Sequence, residues 1–147
     1  MRTPLALTLA IVLSAASAGA QELVKGQDLV KGRTDLPELV LGNDDGNDYA
    51  VSQKDIELQS GKSYRLSITA KGSKEYKFFA PEFFRNTWVN QIVVNHLEIH
   101  MQGAPHHLEF DDAGTIDVEF VAMRPGEFPW YVQGLEGRGM TGRFIVK

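Results

Sequence analysis

Beyond residue 55, hydrophobic and polar positions alternate with a period of two along most of the chain. Ile56 and Leu58, then Tyr64, Leu66 and Ile68, occupy alternate positions on either side of the turn Ser60-Gly61-Lys62, as half-buried strands require. Tyr76 and Phe78 continue the alternation. Ile92-Val93-Val94 and Leu97 to His100 flank Asn95-His96 as a hairpin, and Leu108, Phe110 and Ile116, Val118, Phe120 alternate around Asp111-Asp112-Ala113-Gly114. Phe128, Trp130, Val132 and then Phe144, Val146 supply closing strands. Helical periodicity is confined to Pro81–Trp88, room for one turn begun by a proline, whose fixed φ suits the first helical position. Seven or eight short strands joined by regular turns predict an all-β sandwich or barrel.

The first twenty residues break this pattern. One cation at Arg2, an apolar run from Pro4 to Ala16 and small residues up to Ala20 form a cleavable secretory signal, too short in its apolar part to span a bilayer. A mature chain from Gln21 keeps 127 of the 147 residues, enough for one core. Residues 21–48 are expected as a leader or edge strand, and 49–147 as the main domain. The turn cluster Asn43 to Asp48 is rich in carboxylates but lacks the spacing and terminal Glu of a calcium loop.

Charge and cysteine content narrow the chemistry. The chain carries 15 Lys and Arg against 19 Asp and Glu, a net charge of −4 that becomes −5 once Arg2 leaves with the signal. Nucleic acid and anionic lipid both demand a basic face, so neither is an expected partner, and the protein is peripheral to a membrane at most. With no cysteine there is no disulfide and no thiolate ligand. Hydrolase elbows, His-Glu-x-x-His and phosphate loops are absent from the sequence.

The last third, with Arg124-Pro125-Gly126 leading into Phe128-Pro129-Trp130-Tyr131-Val132 and Gly139-Met140-Thr141-Gly142 leading into Phe144-Ile145-Val146, resembles the C-terminal signature of cupredoxins. The resemblance implies a cupredoxin-like Greek-key β-sandwich with an insertion around 81–112. On the cupredoxin pattern the copper-ligand positions fall on Glu75, Val132, Leu135 and Met140. A blue copper site needs two His, a Cys and a weak axial Met, which this set does not supply. The inserted stretch, Ala80 to Val93 followed by Glu98-Ile99-His100 and Leu108-Glu109-Phe110-Asp111, is similar to the cupredoxin-like periplasmic proteins of bacterial ferrous-iron uptake operons (the FtrB type, related to the cupredoxin domain of EfeO). That likeness implies a periplasmic iron-binding protein that assists Fe(II) oxidation and delivers iron to an inner-membrane permease alongside other periplasmic uptake components.

Replacing Cys and His by carboxylates turns a soft site into a hard one suited to iron. Glu98 and His100 share one face of a strand by their i, i+2 spacing. With Glu75, Glu82 and Met140 they make a mixed carboxylate, imidazole and thioether set, although Glu-x-His on a strand is otherwise ordinary solvated surface and Met140 is otherwise core filling. His106 and His107 alternate in facing, so at most one is expected in any site. Trp88, Trp130 and Phe83-Phe84 are expected as core or lid residues. Two further readings stay open: a copper-binding or copper-delivery protein using Met101, Met123, Met140 and the four His, and a metal-free cupredoxin interaction module.

Overall fold

The fold was established from a computed structural model, which describes residues 28–147; the signal peptide expected over 1–20 lies outside the described residues. Among the described residues eleven strands, more than the seven or eight expected, form two sheets. The first sheet holds β1 (Thr34–Asp35), β2 (Leu39–Leu41), β4 (Ser63–Ala70), β9 (Gly114–Ala122), β6 (Thr87–Val94) and β7 (Leu97–His100), in the order β1-β4-β9-β6-β7 with β2 also on β4. The second runs β3 (Asp55–Leu58), β11 (Thr141–Val146), β10 (Gly126–Val132), β5 (Tyr76–Phe79), β8 (Leu108–Phe110).

Two segments singled out in the sequence supply strands of the sandwich. Within 21–48, expected as a leader or edge strand, β1 and β2 pair in parallel with β4 at the edge of the first sheet, and Leu39 and Leu41 are fully buried. The stretch 81–112, expected as an insertion, supplies the helix α1 (Pro81–Arg85) as well as β6, β7 and β8. Of these, β6 is an inner strand paired with β9 along most of its length.

The core forms because each strand sends alternate apolar residues inward, clearest in β4, where Tyr64, Leu66, Ile68 and Ala70 are buried and the residues between them are half-exposed. Helix α1, started by Pro81, inserts Phe83 between the sheets. Its ring stacks on Phe144 of β11 at 3.8 Å and meets Phe120 of β9 edge-on at 5.2 Å, so one side chain ties both layers. Trp130 is fully buried, stacks on Phe78 at 5.6 Å, and donates its indole N–H to the Lys54 carbonyl at 3.1 Å. Trp88, by contrast, is 46% exposed and is not part of the core.

Two local devices set register. Asn95 and His96 both have positive φ, 49° and 65°, the conformation of a two-residue hairpin turn whose twist matches its strands. In β6 the pairing with β9 shifts between Val89 and Gln91, so Asn90 is the extra residue of a β-bulge. Before it Trp88 points out and Val89 in; after it Gln91 and Val93 point out, Ile92 in.

The acidic turn is structural. Asp48 accepts from the Ser73 backbone N–H at 2.7 Å and from the Ser73 hydroxyl, and Asp44 pairs with Lys71 at 3.0 Å. The Ser73 N–H, ahead of its hydroxyl and Lys74, holds the Asp48 carboxyl below the ordinary carboxylate range. Arg143 does the same for Asp55.

Two predictions follow from this packing. At Gly142 an added Cβ would lie 2.0 Å from the Lys54 carbonyl oxygen and 2.6 Å from the Trp130 ring, so Gly142→Ala should cost at least about 2 kcal/mol in denaturant unfolding; an unchanged midpoint contradicts this packing. A carboxyl with a lowered folded pKa contributes stability that is whole above its unfolded value and fades as pH falls through the folded one. Unfolding free energy should therefore decline below about pH 4, less steeply in Asp48→Ala, and identical acid profiles for the two proteins would count against the Ser73 contact.

Candidate metal centre

The loop that carries the ligands in copper-binding cupredoxins is closed here by the main chain and filled with apolar groups. At the end of β10 the Val132 N–H donates to the Met140 carbonyl at 2.9 Å, Leu135 N–H donates to Val132 O at 3.0 Å, and Met140 N–H donates to Leu135 O at 3.4 Å. Val132 and Met140 are fully buried and Leu135 packs against the core. A 3₁₀ turn at Glu136–Arg138 crosses this loop, with the Arg138 guanidinium 5.0 Å above the Tyr49 ring. Val132 and Leu135 have no donor atom, and neither thiolate nor imidazole occurs at any of the four positions, so a blue copper ion does not fit here.

Glu75 does not share this end of the pocket. In β5 Tyr76 and Phe78 are buried, which turns Glu75, Lys77 and Phe79 to the outer face. Val132 is the register partner of Phe78 and points inward. Glu75 and Met140 therefore lie on opposite faces of the second sheet, and no single ion can use both. Glu82 is exposed on α1, apart from either.

What Glu75 does join is a carboxylate group on the outer face. Glu75, Glu109 and Asp111 each place an oxygen within 4.8 Å of the others, because β5 and β8 pair Lys77 with Glu109. Lys77 already sits there, its Nζ 2.8 Å from Glu75 and 3.1 Å from Glu109. These two carboxylates, Glu75 first, push the Lys77 pKa up to about 12. Glu109 is held below the usual carboxylate range by the hydrogen bond from His107, then by Lys77. A cation entering here must displace an ammonium that the cluster holds firmly. In the sequence Glu109 and Asp111 stood only in the Leu108-Glu109-Phe110-Asp111 stretch that carries the family resemblance; their meeting with Glu75 depends on register, which no local signal carries.

Glu98 and His100 do come together. Both point outward from β7, with His100 Nε2 3.4 Å from Glu98 Oε2 and both side chains more than half exposed. Gln91 is 8% exposed and donates from Nε2 to Glu98 Oε1 at 3.3 Å, leaving Oε2 and the imidazole as the free pair. Sequence reasoning missed Gln91, because only the bulge at Asn90 aims it outward. The same row continues across the sheet: Gln91 pairs with His100 on one side and Glu119 on the other, and Glu119 pairs with Arg65. The Glu119 side chain is 4% exposed, accepts from Arg65 Nε and Nη2 at 3.1 and 2.6 Å, and is reached by Arg33 at 3.2 Å. Two guanidiniums compensate its desolvation. Among the described residues no buried side-chain nitrogen or oxygen lacks a partner.

Comparison with known proteins fits this architecture. No protein-family model matches the sequence, and no curated protein sequence does. Solved structures do match. A bacterial laccase-like multicopper oxidase, CueO from Ochrobactrum sp., superposes with a TM-score of 0.58 at 14% identity, over 84% of this chain and 33% of that one. A blue copper oxidase from Nitrosomonas europaea gives 0.57 at 12% identity, over 83% and 46%, and a multicopper oxidase from Campylobacter jejuni 0.54 at 10%, over 86% and 32%. The chain thus spans from about a third to just under half the length of these structures. At such identities the likeness defines the fold, a cupredoxin-like β-sandwich of the kind found in copper proteins.

The Glu119 clamp carries a stability prediction. Arg65→Ala leaves a buried carboxylate with Arg33 alone and should cost about 3 kcal/mol, against a much smaller loss for Arg65→Lys; equal and negligible losses in denaturant melts would show that Glu119 reaches water without the clamp.

Proposed function

We propose that this protein is exported to the periplasm by its N-terminal signal, binds iron at an oxygen and imidazole site on the outer face of the first sheet, and passes it to an inner-membrane permease. The observation that carries this reading is the Glu98–His100 pair, 3.4 Å apart and exposed, with Gln91 bracing the second carboxylate oxygen. The sequence resemblance to the cupredoxin-like proteins of ferrous-iron uptake supports the choice of iron, and so does the loss of soft ligands at positions 132 and 135. A carboxylate and an imidazole with open water positions suit a first-row ion of intermediate hardness. Anionic oxygen stabilises Fe(III) more than Fe(II), which lowers the potential and favours release of one electron per iron to O₂. The ion lies at the surface, where a partner can reach it. Met140, Glu75 and Glu82 stand outside this site.

The test is iron content and the rate of Fe(II) oxidation for the untagged exported chain, compared with Glu98→Ala/His100→Ala and with Met140→Leu. Iron bound by the wild type and Met140→Leu but lost from the double variant supports the reading. Iron retained by the double variant refutes the site, binding of copper alone moves the protein to copper handling, and binding of no metal leaves a metal-free interaction module.

A further inference from the structure

Between β7 and β8 the chain leaves regular structure, and the alternation that would separate neighbouring side chains no longer holds. His106 and His107 turn toward one another, Nδ1 to Nδ1, at 2.9 Å. The His107 ring lies flat on Phe79 at 4.8 Å and 9°, Phe79 lies flat on Tyr131 at 5.4 Å and 5°, and His106 meets Phe79 edge-on at 5.4 Å. The far nitrogen of His107, Nε2, is 3.2 Å from Glu109 Oε2, and the other oxygen of Glu109 is 3.1 Å from Lys77 Nζ. We propose that His106 and His107 form a copper(II) site on the outer face of the second sheet, with the two Nδ1 atoms as ligands and Glu109 as the residue that positions His107.

Three features of the geometry lead there. An imidazole that donates Nε2–H to a carboxylate keeps its lone pair on Nδ1, the arrangement by which metal-binding histidines are oriented and made more basic. Here that lone pair faces the second imidazole. The 2.9 Å separation, that of a hydrogen bond between the rings in the metal-free protein, is also close to the bite of two adjacent ligands on one ion. With metal–nitrogen bonds of about 2.0–2.1 Å, nitrogens this far apart subtend about 90° at the ion, whereas a tetrahedral ion such as Zn(II) wants them roughly 3.3–3.4 Å apart. A right angle belongs to tetragonal Cu(II) or Ni(II), and Cu(II) stands highest in the affinity order. Finally, the rings are held before any ion arrives: His107 caps a column of three parallel rings, and Glu109 is fixed by Lys77, so little conformational freedom is lost on binding. In the metal-free protein His106 Nδ1–H donates to His107 Nδ1. On binding, that proton moves through water to the exposed Nε2 of His106, and no net proton is released by the pair. The remaining equatorial positions are filled by water.

This site is separate from the Glu98–His100 pair and does not depend on the iron reading. The test is titration of the untagged exported chain with Cu(II) in a competing glycine buffer, read by electron paramagnetic resonance. The expected wild-type result is one tightly held Cu(II) with an axial spectrum, coupling to two nitrogens, and affinity well above that for Zn(II). His106→Ala should bind at least tenfold more weakly with one nitrogen coupling left. His107→Phe keeps the ring column and should lose the site while its circular dichroism stays native. Glu109→Ala should weaken binding by about 10–100-fold with the two-nitrogen spectrum intact, which a merely structural role would not produce. Glu98→Ala/His100→Ala should leave the copper signal unchanged. Undiminished Cu(II) affinity in His106→Ala, or loss of the signal in the β7 double variant, overturns the assignment.

Discussion

Val132, Leu135 and Met140 pack into the aromatic interior around Trp130 and Phe78, and this closure governs where chemistry can occur in the molecule. Polar atoms gathered at one end of a sandwich core need a partner such as a metal ion. Here nothing of the kind is required, since all three residues are apolar and their backbone groups are tied to one another. An ion placed among them would have to shed its water for a thioether alone, against a desolvation cost that one weak ligand does not offset. Polar and charged function is therefore displaced to the outer faces of the two sheets, where water remains part of the coordination.

Those two faces solve the problem of clustered charge differently. On the second sheet Lys77 bridges the carboxylates of Glu75 and Glu109 and offsets one of their two charges, so the acidic group is already occupied by a cation while the two Nδ1 atoms beside it face one another. On the first sheet the positive charge is drawn inward to Glu119, where Arg33 and Arg65 are engaged, and Glu98 at the far end of the same row keeps an uncompensated charge beside His100. The distribution of Lys and Arg, more than the number of acids, decides which carboxylates are available to a metal.

Much of the fold could be read from alternation alone. The strands from Ile56 to Phe120, the turn at Asn95-His96, the helical turn at Pro81 and the closing strands each follow from local pattern, and the missing cysteine excluded blue copper chemistry. The two short N-terminal strands were not legible as core, because a two- or three-residue strand carries too few positions to show a period. The site was less legible for a related reason. Whether Glu75 faced Met140 depended on the pairing of Val132 with Phe78, a long-range register that spacing along the chain does not encode. Glu98 and His100 could be joined from sequence because they share a strand. His106 and His107 were separated by a rule that applies only inside one, and their segment lies outside.

The bulge in β6 reaches further than the strand that contains it. Asn90 acts as a half-step: on its N-terminal side odd-numbered residues enter the core, and on its C-terminal side even-numbered ones do. Because β7 is paired to the second half, its orientation is inherited from that half-step and not chosen by its own composition. Were Asn90 drawn into the ladder as an ordinary paired residue, the second half of β6 would slip by one, and β7 with it would present Leu97 and Ile99 on the broad outer face and turn Glu98 and His100 toward the rim of the core. Deleting Asn90 would instead remove the bulge and leave both faces as they are, so what holds Glu98 and His100 outward is that the extra residue stays outside the ladder.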